Sequence, residues 1–372
     1  MKKPALFLLS SVLLASLASC GGVSASSTSS ASSLTPSSSS GEATSESSAV
    51  STTSEGTSTT SEGTSTTSEG TSTTSEGTST TSESTTATST TSVDQGPLTI
   101  AAIDDATPLP AYTYSAGVYT FSLQETVVTG VSLSGTLDDG YILIDAGTLT
   151  DNAAMELDLN GVTIDSAVSA PIYYTSSNSK LIISAKKGTT NTLAYSGTDN
   201  GMAALRSKNN LEIKGKGALS LNGGVGHGIK CDDLTLSSAT AIGITHAGND
   251  GIHAKTFDAS AFTGSVLMKE VGSQAFDIND YSSKTGVASG AITFPTAGQS
   301  TPIDFAINQC ANVFQIDNNF TITDSTRIVV TTLSETAAFE NVTPNALTIT
   351  NNGTFSIAGV AQAASIAVAA KA

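Results

Sequence analysis

Tryptophan is absent from this 372-residue chain, and aromatic residues make up only 5% of it. Without tryptophan the usual platform for stacking sugars is missing, which argues against tight capture of neutral crystalline glycans. Basic residues are scarce: 15 Lys and Arg stand against 32 Asp and Glu. Eight of the acidic and two of the basic residues precede residue 96, leaving 24 and 13 and a net charge of −11 on the remainder. An acidic domain is a poor partner for nucleic acid. It is compatible with divalent cations and would need them to approach an anionic polymer. Beyond Cys20 there are only Cys231 and Cys310, with no Cys-x-x-Cys. Two cysteines in an exported chain can pair, but Cys231 falls at an inward position of the repeat described below and reads as a small buried thiol.

Long apolar runs are also missing. Met1-Lys2-Lys3 is followed by an apolar stretch from Ala5 to Leu17, short of the ~20 residues that span a bilayer, so residues 1–19 read as an export signal. Leu17-Ala18-Ser19-Cys20 resembles the lipobox of bacterial lipoproteins. The resemblance implies cleavage before Cys20 and a lipid on it, hence a protein outside the cytoplasm, anchored to the membrane and exposed at the cell surface. The plainer alternative is an unlipidated signal with a chance cysteine. No Leu-Pro-x-Thr-Gly signal and no C-terminal apolar span compete as anchors. Residues 20–95 collapse to Ser, Thr, Glu and Gly, with Ser-Thr-Thr-Ser-Glu-Gly-Thr recurring every seven residues from Ser51. No apolar residue occupies an a or d position, which excludes a coiled coil. Such a segment cannot offset its ordering entropy and is expected to be a disordered stalk.

Residues 96–372 carry the repeat. Leu205, Ile229, Ile252 and Phe276 stand 24, 23 and 24 residues apart, each after a small residue. Leu211/Leu234/Phe257, Ile213/Leu236, Leu219/Ile242 and Leu221/Ile244 recur at 23. Within each unit apolar and polar residues alternate, the strand period. A fixed period of this size without helical patterning indicates a solenoid, and two or three short strands per unit make it a parallel β-helix of about nine or more coils. The leucine-rich repeat has a similar length, but its Leu-x-x-Leu-x-Leu signature does not recur. Asp138-Asp139-Gly140 reads as a turn, and Asn160-Gly161 as a turn from one strand into a second. Pro97 to Thr120 is expected to cap one end and Ile366 to Ala369 the other.

The order Leu157-Asp158-Leu159-Asn160-Gly161-Val162-Thr163-Ile164, Ala170-Pro171-Ile172-Tyr173, Gly188-Thr189-Thr190-Asn191-Thr192-Leu193, Gly226-His227-Gly228-Ile229-Lys230-Cys231-Asp232-Asp233-Leu234 and Asn249-Asp250-Gly251-Ile252-His253-Ala254-Lys255 resembles a family of bacterial carbohydrate-binding domain proteins. The resemblance covers roughly Tyr119 to Tyr281. It implies a right-handed parallel β-helix, akin to polysaccharide lyases, that binds calcium and plant-type polysaccharide without established cleavage. The chain departs from the pattern at His227, where the family has Asp, and at Cys231, where it has Lys. Ala-Leu and Ala-Phe replace Gly-Ile in the outer coils, so calcium ligands are expected to be fewer than the family pattern implies.

Stacked coils place equivalent residues about 4.8 Å apart, so columns are candidate sites. One column reads Arg206, Lys230, His253, Asp277; a second, Lys208, Asp232, Lys255, Asn279; a third, Asn209, Asp233, Thr256, Asp280. The second alternates in sign and is equally a solvated ladder of ion pairs. Asp232, Asp233, Asp250, Asp277 and Asp280 supply hard oxygens suited to Ca2+, or are turn residues bonding their own backbone. Arg206, Lys230, His253, Tyr173 and Tyr174 are candidates for contacting carbohydrate, with one of the two tyrosines necessarily pointing outward. His227, His246 and His253 fall in different columns and give no zinc site. The functional expectation is a non-catalytic, monomeric polysaccharide binder. A pectate-type lyase using Arg206 and Lys230, and an adhesin for protein, are the alternatives.

Overall fold

The computed structural model describes residues 96–371 apart from 107–108, 124–128, 146–153 and 177–178. The expectations for residues 1–95, Cys20 among them, lie outside the described residues. Every regular element among the described residues is a β-strand. No helix long and apolar enough to cross a membrane occurs there, which says nothing about crossing by strands.

The strands wind into a parallel solenoid of about nine coils. Each coil contributes one strand to a first face: Val118–Ser122, Tyr141–Asp145, Ile172–Tyr174, Ala203–Ser207, His227–Lys230, Ile252–Ala254, Gln274–Ile278, Asn312–Ile316 and Phe339–Asn341, each parallel to the next. From the third coil on, two further strands complete the turn, as Leu211–Gly215 and Ala218–Asn222 do in the fourth. In the first two coils those two strands merge. Ala154–Ser166 runs unbroken around the corner, its first half paired with Lys180–Ala185 and its second with Thr190–Tyr195. The Asn160-Gly161 step is therefore a corner bend within one strand rather than a break between two. Gly161 takes φ +80° there, a conformation that suits glycine. The buried Asn191 side-chain oxygen accepts hydrogen bonds from the backbone N–H groups of Gly161 and Val162, at 2.9 and 3.0 Å.

The sequence columns are the rungs of the core. Leu205, Ile229, Ile252 and Phe276 are successive register partners, all buried. The ladder continues through Phe314 to Phe339. Fully burying each such side chain contributes about 1.5–3 kcal/mol. In the later coils the core turns aromatic: the Phe314 ring lies 5.2 Å from that of Phe276 and 5.1 Å from that of Phe320. Phe294, buried within the Gly-, Ser- and Thr-rich residues 282–301, packs edge-on against Phe305 at 5.3 Å and ties that irregular coil down.

Both ends are covered by antiparallel strands. Thr99–Ala102 pairs with Thr129–Leu137, and Tyr112–Ser115 with Val118–Ser122. At the far end Val360–Ala361 pairs with Thr354–Ile357, and Ser365–Val368 with Leu347–Asn351. Cys231 and Cys310 are free and buried, and burial raises both thiol pKa values, that of Cys310 to about 12.

Candidate functional site

Side chains alternate in and out along each first-face strand. Between the buried anchors the outward positions form one ladder in register: Tyr173, Arg206, Lys230, His253, Asp277, Gln315, Glu340. Its charge changes from basic to acidic along the solenoid. Beside it runs a groove of about 430 Å³, walled by Arg206, Lys230 and His253 on one side and by Lys208, Asp232, Lys255, Asn279 and Asp280 on the other.

At the basic end the Tyr173 ring faces outward and carries two cations. The Arg206 guanidinium lies 5.1 Å from its centroid and the Lys208 ammonium 5.9 Å, both within cation–π range. Tyr174, the other candidate for sugar contact, is fully buried and bonds Ser179, so it cannot meet a glycan. Partial burial, then the neighbouring Arg206 charge, lower the Lys230 pKa. Both effects disfavour the ammonium form.

The five aspartates divide into two groups. On the outer wall Asp232 pairs with Lys255 at 3.0 Å, Asp233 accepts from the Thr256 hydroxyl at 2.6 Å, and Asp280 accepts from the Ser289 hydroxyl at 2.9 Å. The hydrogen bond to Asp232 raises the Lys255 pKa, so that pair is the ion-pair rung expected of its column. Lys208, one coil earlier, sits over Tyr173 instead. All three carboxylates are of the hard-oxygen type calcium takes, but each is already engaged. Co-ligands from outside the chain would be needed to complete six to eight oxygens.

Asp250 and Asp277 lie elsewhere, nearly buried, among imidazoles. His227 Nδ1 is 3.1 Å from Asp250 Oδ2, and His253 Nδ1 is 3.2 Å from the same oxygen and 2.6 Å from Asp277 Oδ2. The two imidazole rings are 4.8 Å apart. His227 and His253 do occupy different columns, as their spacing requires, yet Asp250 joins them, so the expectation that the histidines stay separate is corrected. His246 is the one left out, exposed beside Glu270. Burial, with the Lys230 and His253 charges, lowers the His227 pKa against the pull of Asp250. For His253, burial is outweighed by the hydrogen bonds to Asp250 and Asp277, which raise its pKa to about 9. Burial acts to raise the Asp250 pKa, but the two histidines hold it well below the usual carboxylate range.

A family profile described as "Carbohydrate-binding domain-containing protein" matches residues 118–337, more than half of the chain and the span that contains every rung named above from Tyr173 to Gln315. No curated protein matches. A solved structure described as the polysaccharide lyase-like protein from C. thermocellum, gadolinium derivative, is 17% identical over 65% of this chain and 92% of its own length, with a TM-score of 0.41.

Proposed function

Because the chain belongs to the family of carbohydrate-binding domain-containing proteins, we propose that the first-face groove binds an acidic polysaccharide without cleaving it. The observation that carries this reading is the stack of Arg206 and Lys208 over the outward Tyr173, continued by Lys230 in the next coil. That is a basic patch on a domain acidic overall. It offers a flat ring and several cations to a polymer bearing carboxylates, and the groove volume suits a short run of sugar units. On this reading Ca2+ joins Asp232, Asp233 or Asp280 to carboxylates of the polymer, which supply the oxygens these residues lack. The polymer is captured at the cell surface, with the protein held to the membrane through lipid on Cys20 and spaced from it by residues 20–95.

The test is an array of acidic and neutral glycans, with and without calcium, using the full chain and its Arg206→Ala variant. Binding confined to acidic glycans and weakened by the substitution supports the reading. Equal binding to neutral glycans by both proteins overturns it.

A second reading, β-elimination, is favoured by one observation: the lowered pKa of Lys230 beside Arg206 suits a general base. The base would remove the proton α to a uronate carboxyl, and the glycosidic oxygen would leave from the neighbouring carbon. Ultraviolet absorbance of the unsaturated product from polygalacturonate, lost in Lys230→Ala, would establish it against binding alone.

A further inference from the structure

We propose that His227, Asp250 and His253, with Asp277 behind His253, form a site for a divalent first-row transition ion of the zinc type. The site goes beyond the carbohydrate reading and does not rest on it. It is built by two neighbouring ladders that do the same thing. In one, His227 is followed one coil later by Asp250; in the other, His253 is followed one coil later by Asp277. Each ladder supplies an imidazole and then a carboxylate. Only Gly251 and Ile252 separate Asp250 from His253, and the turn into the strand folds them back on each other.

The distances suit one ion. A tetrahedral centre with bonds of about 2.0–2.1 Å holds its ligand atoms roughly 3.3 Å apart. His227 Nδ1 and His253 Nδ1 lie 3.1 and 3.2 Å from Asp250 Oδ2, and ligand atoms of these three residues lie within 4.8 Å of one another. Among the described residues this is the one cluster of three or more such groups close enough to share an ion. Asp277, 2.6 Å from His253 Nδ1, lies outside that cluster of three and braces the His253 ring beside it.

A second observation points to a ligand. His227 is 2% exposed, and its Nδ1, aimed into the cluster, has no hydrogen-bond partner. It stands near Asp250 Oδ2 without being aligned for a hydrogen bond. A buried polar atom left this way is costly, and a coordinated cation would satisfy it. Asp250 and Asp277 are 4% and 6% exposed. Two carboxylates so placed favour positive charge beside them.

The donor set selects the metal. Two imidazoles favour zinc, cobalt, nickel or copper over calcium, which prefers oxygen throughout. Coordination through His227 Nδ1 leaves the proton on Nε2, whose neighbours are Asn249 Nδ2 at 3.3 Å and Lys230 Nζ at 3.0 Å. A turn of the Asn249 amide presents its oxygen to that proton. Lys230, part-exposed at the groove wall, would have to leave that nitrogen. The ion would clip two successive coils together.

Tag-free full chain is stripped with chelator and titrated with Co2+ and then Zn2+, the cobalt followed by its visible spectrum. One equivalent of cobalt with intense tetrahedral bands, displaced by zinc, is expected. His253→Ala, at a part-exposed position that can be lost without emptying the core, should abolish those bands. It should also weaken binding by more than the roughly 10–100-fold that losing a supporting group costs. His227→Ala should do the same, with circular dichroism showing the β signal retained; if that variant unfolds, His253→Ala and Asp250→Asn decide. Octahedral bands only, no stoichiometric binding, or an unchanged spectrum in His253→Ala would each overturn the proposal.

Discussion

Arg206 reaches over a tyrosine one coil away: its guanidinium carbon is 5.1 Å from the centre of the Tyr173 ring. The contact keeps a long cationic side chain extended across the open face, where an unbraced arginine would sample many rotamers. Tyr173→Ala therefore removes both the ring and the brace. A cation–π contact is worth about 0.5–2 kcal/mol, so binding of an acidic oligosaccharide should weaken roughly 2–30-fold, with melting temperature little changed. Isothermal titration at two salt concentrations measures it, and an unaltered affinity would move the binding surface elsewhere.

Calcium should act through the outer wall and through the sugar. Acidic-glycan binding is expected to fall on adding chelator and to recover with millimolar calcium. Asp232→Ala combined with Asp280→Ala should remove the calcium effect while leaving the residual binding intact. Affinity electrophoresis in gels containing polygalacturonate reads this directly. Identical mobility with calcium and with chelator would dismiss the ion from the binding step.

Glu212 sets a pH dependence on the second face. Burial raises its pKa, but the hydrogen bond and charge of Lys180 at 2.7 Å, with help from Ser237 and Lys214, leave it lower than normal. A carboxyl held below its unfolded value contributes stability above that value, near 4.3, and loses it as pH falls through the lower folded value. Lys180 is part-exposed, so screening keeps the contribution to about 1 kcal/mol or less. Urea unfolding of Glu212→Gln should show a deficit at pH 7 that vanishes in acid. A deficit that persists at low pH would trace to packing instead.

Phe314 is the hub of the aromatic core, within 6.4 Å of the rings of Phe276, Phe294, Phe320, Phe339 and Phe355. Phe314→Ala should cost about 3–5 kcal/mol. In a solenoid, where each coil leans only on its neighbours, the damage should concentrate in the last coils. Hydrogen exchange would then show faster amides from about residue 303 onward, while those around Leu205 stay protected. Uniform acceleration along the whole chain would mean that the solenoid unfolds as one unit.

Cys20→Ala should release the protein to the medium or leave it unprocessed, as fractionation and the mass of the N-terminal peptide would reveal. Normal cleavage with unchanged membrane partitioning would exclude the lipid anchor.

The solenoid was legible because its core is one-dimensional. A spacing of 23 or 24 between Leu205, Ile229, Ile252 and Phe276 is the length of a coil, and inward residues must recur at that length or leave a hole. The covering strand Ser365–Val368 was legible for a related reason, since an apolar tail after the last repeat has an open edge to pair with. The merging of two faces into Ala154–Ser166 was not. Asn-Gly signals a change of direction, and whether hydrogen bonding continues through it depends on the buried Asn191 of the next coil. The meeting of His227 with His253 was hidden for a different reason. Columns record which residues stack, but say nothing about which turn residues fold sideways onto the neighbouring column. One signal was available: His227 occupies the position that Asp250 occupies one coil later, so an imidazole and a carboxylate were already in line.

The first-face ladder begins with an aromatic ring and two cations and ends with Gln315 and Glu340, which gives the surface a head and a tail. A linear glycan also has two unlike ends, reducing and non-reducing, and does not coincide with itself when reversed. On the proposed reading, a strip of graded rungs takes such a chain in one sense and disfavours the other.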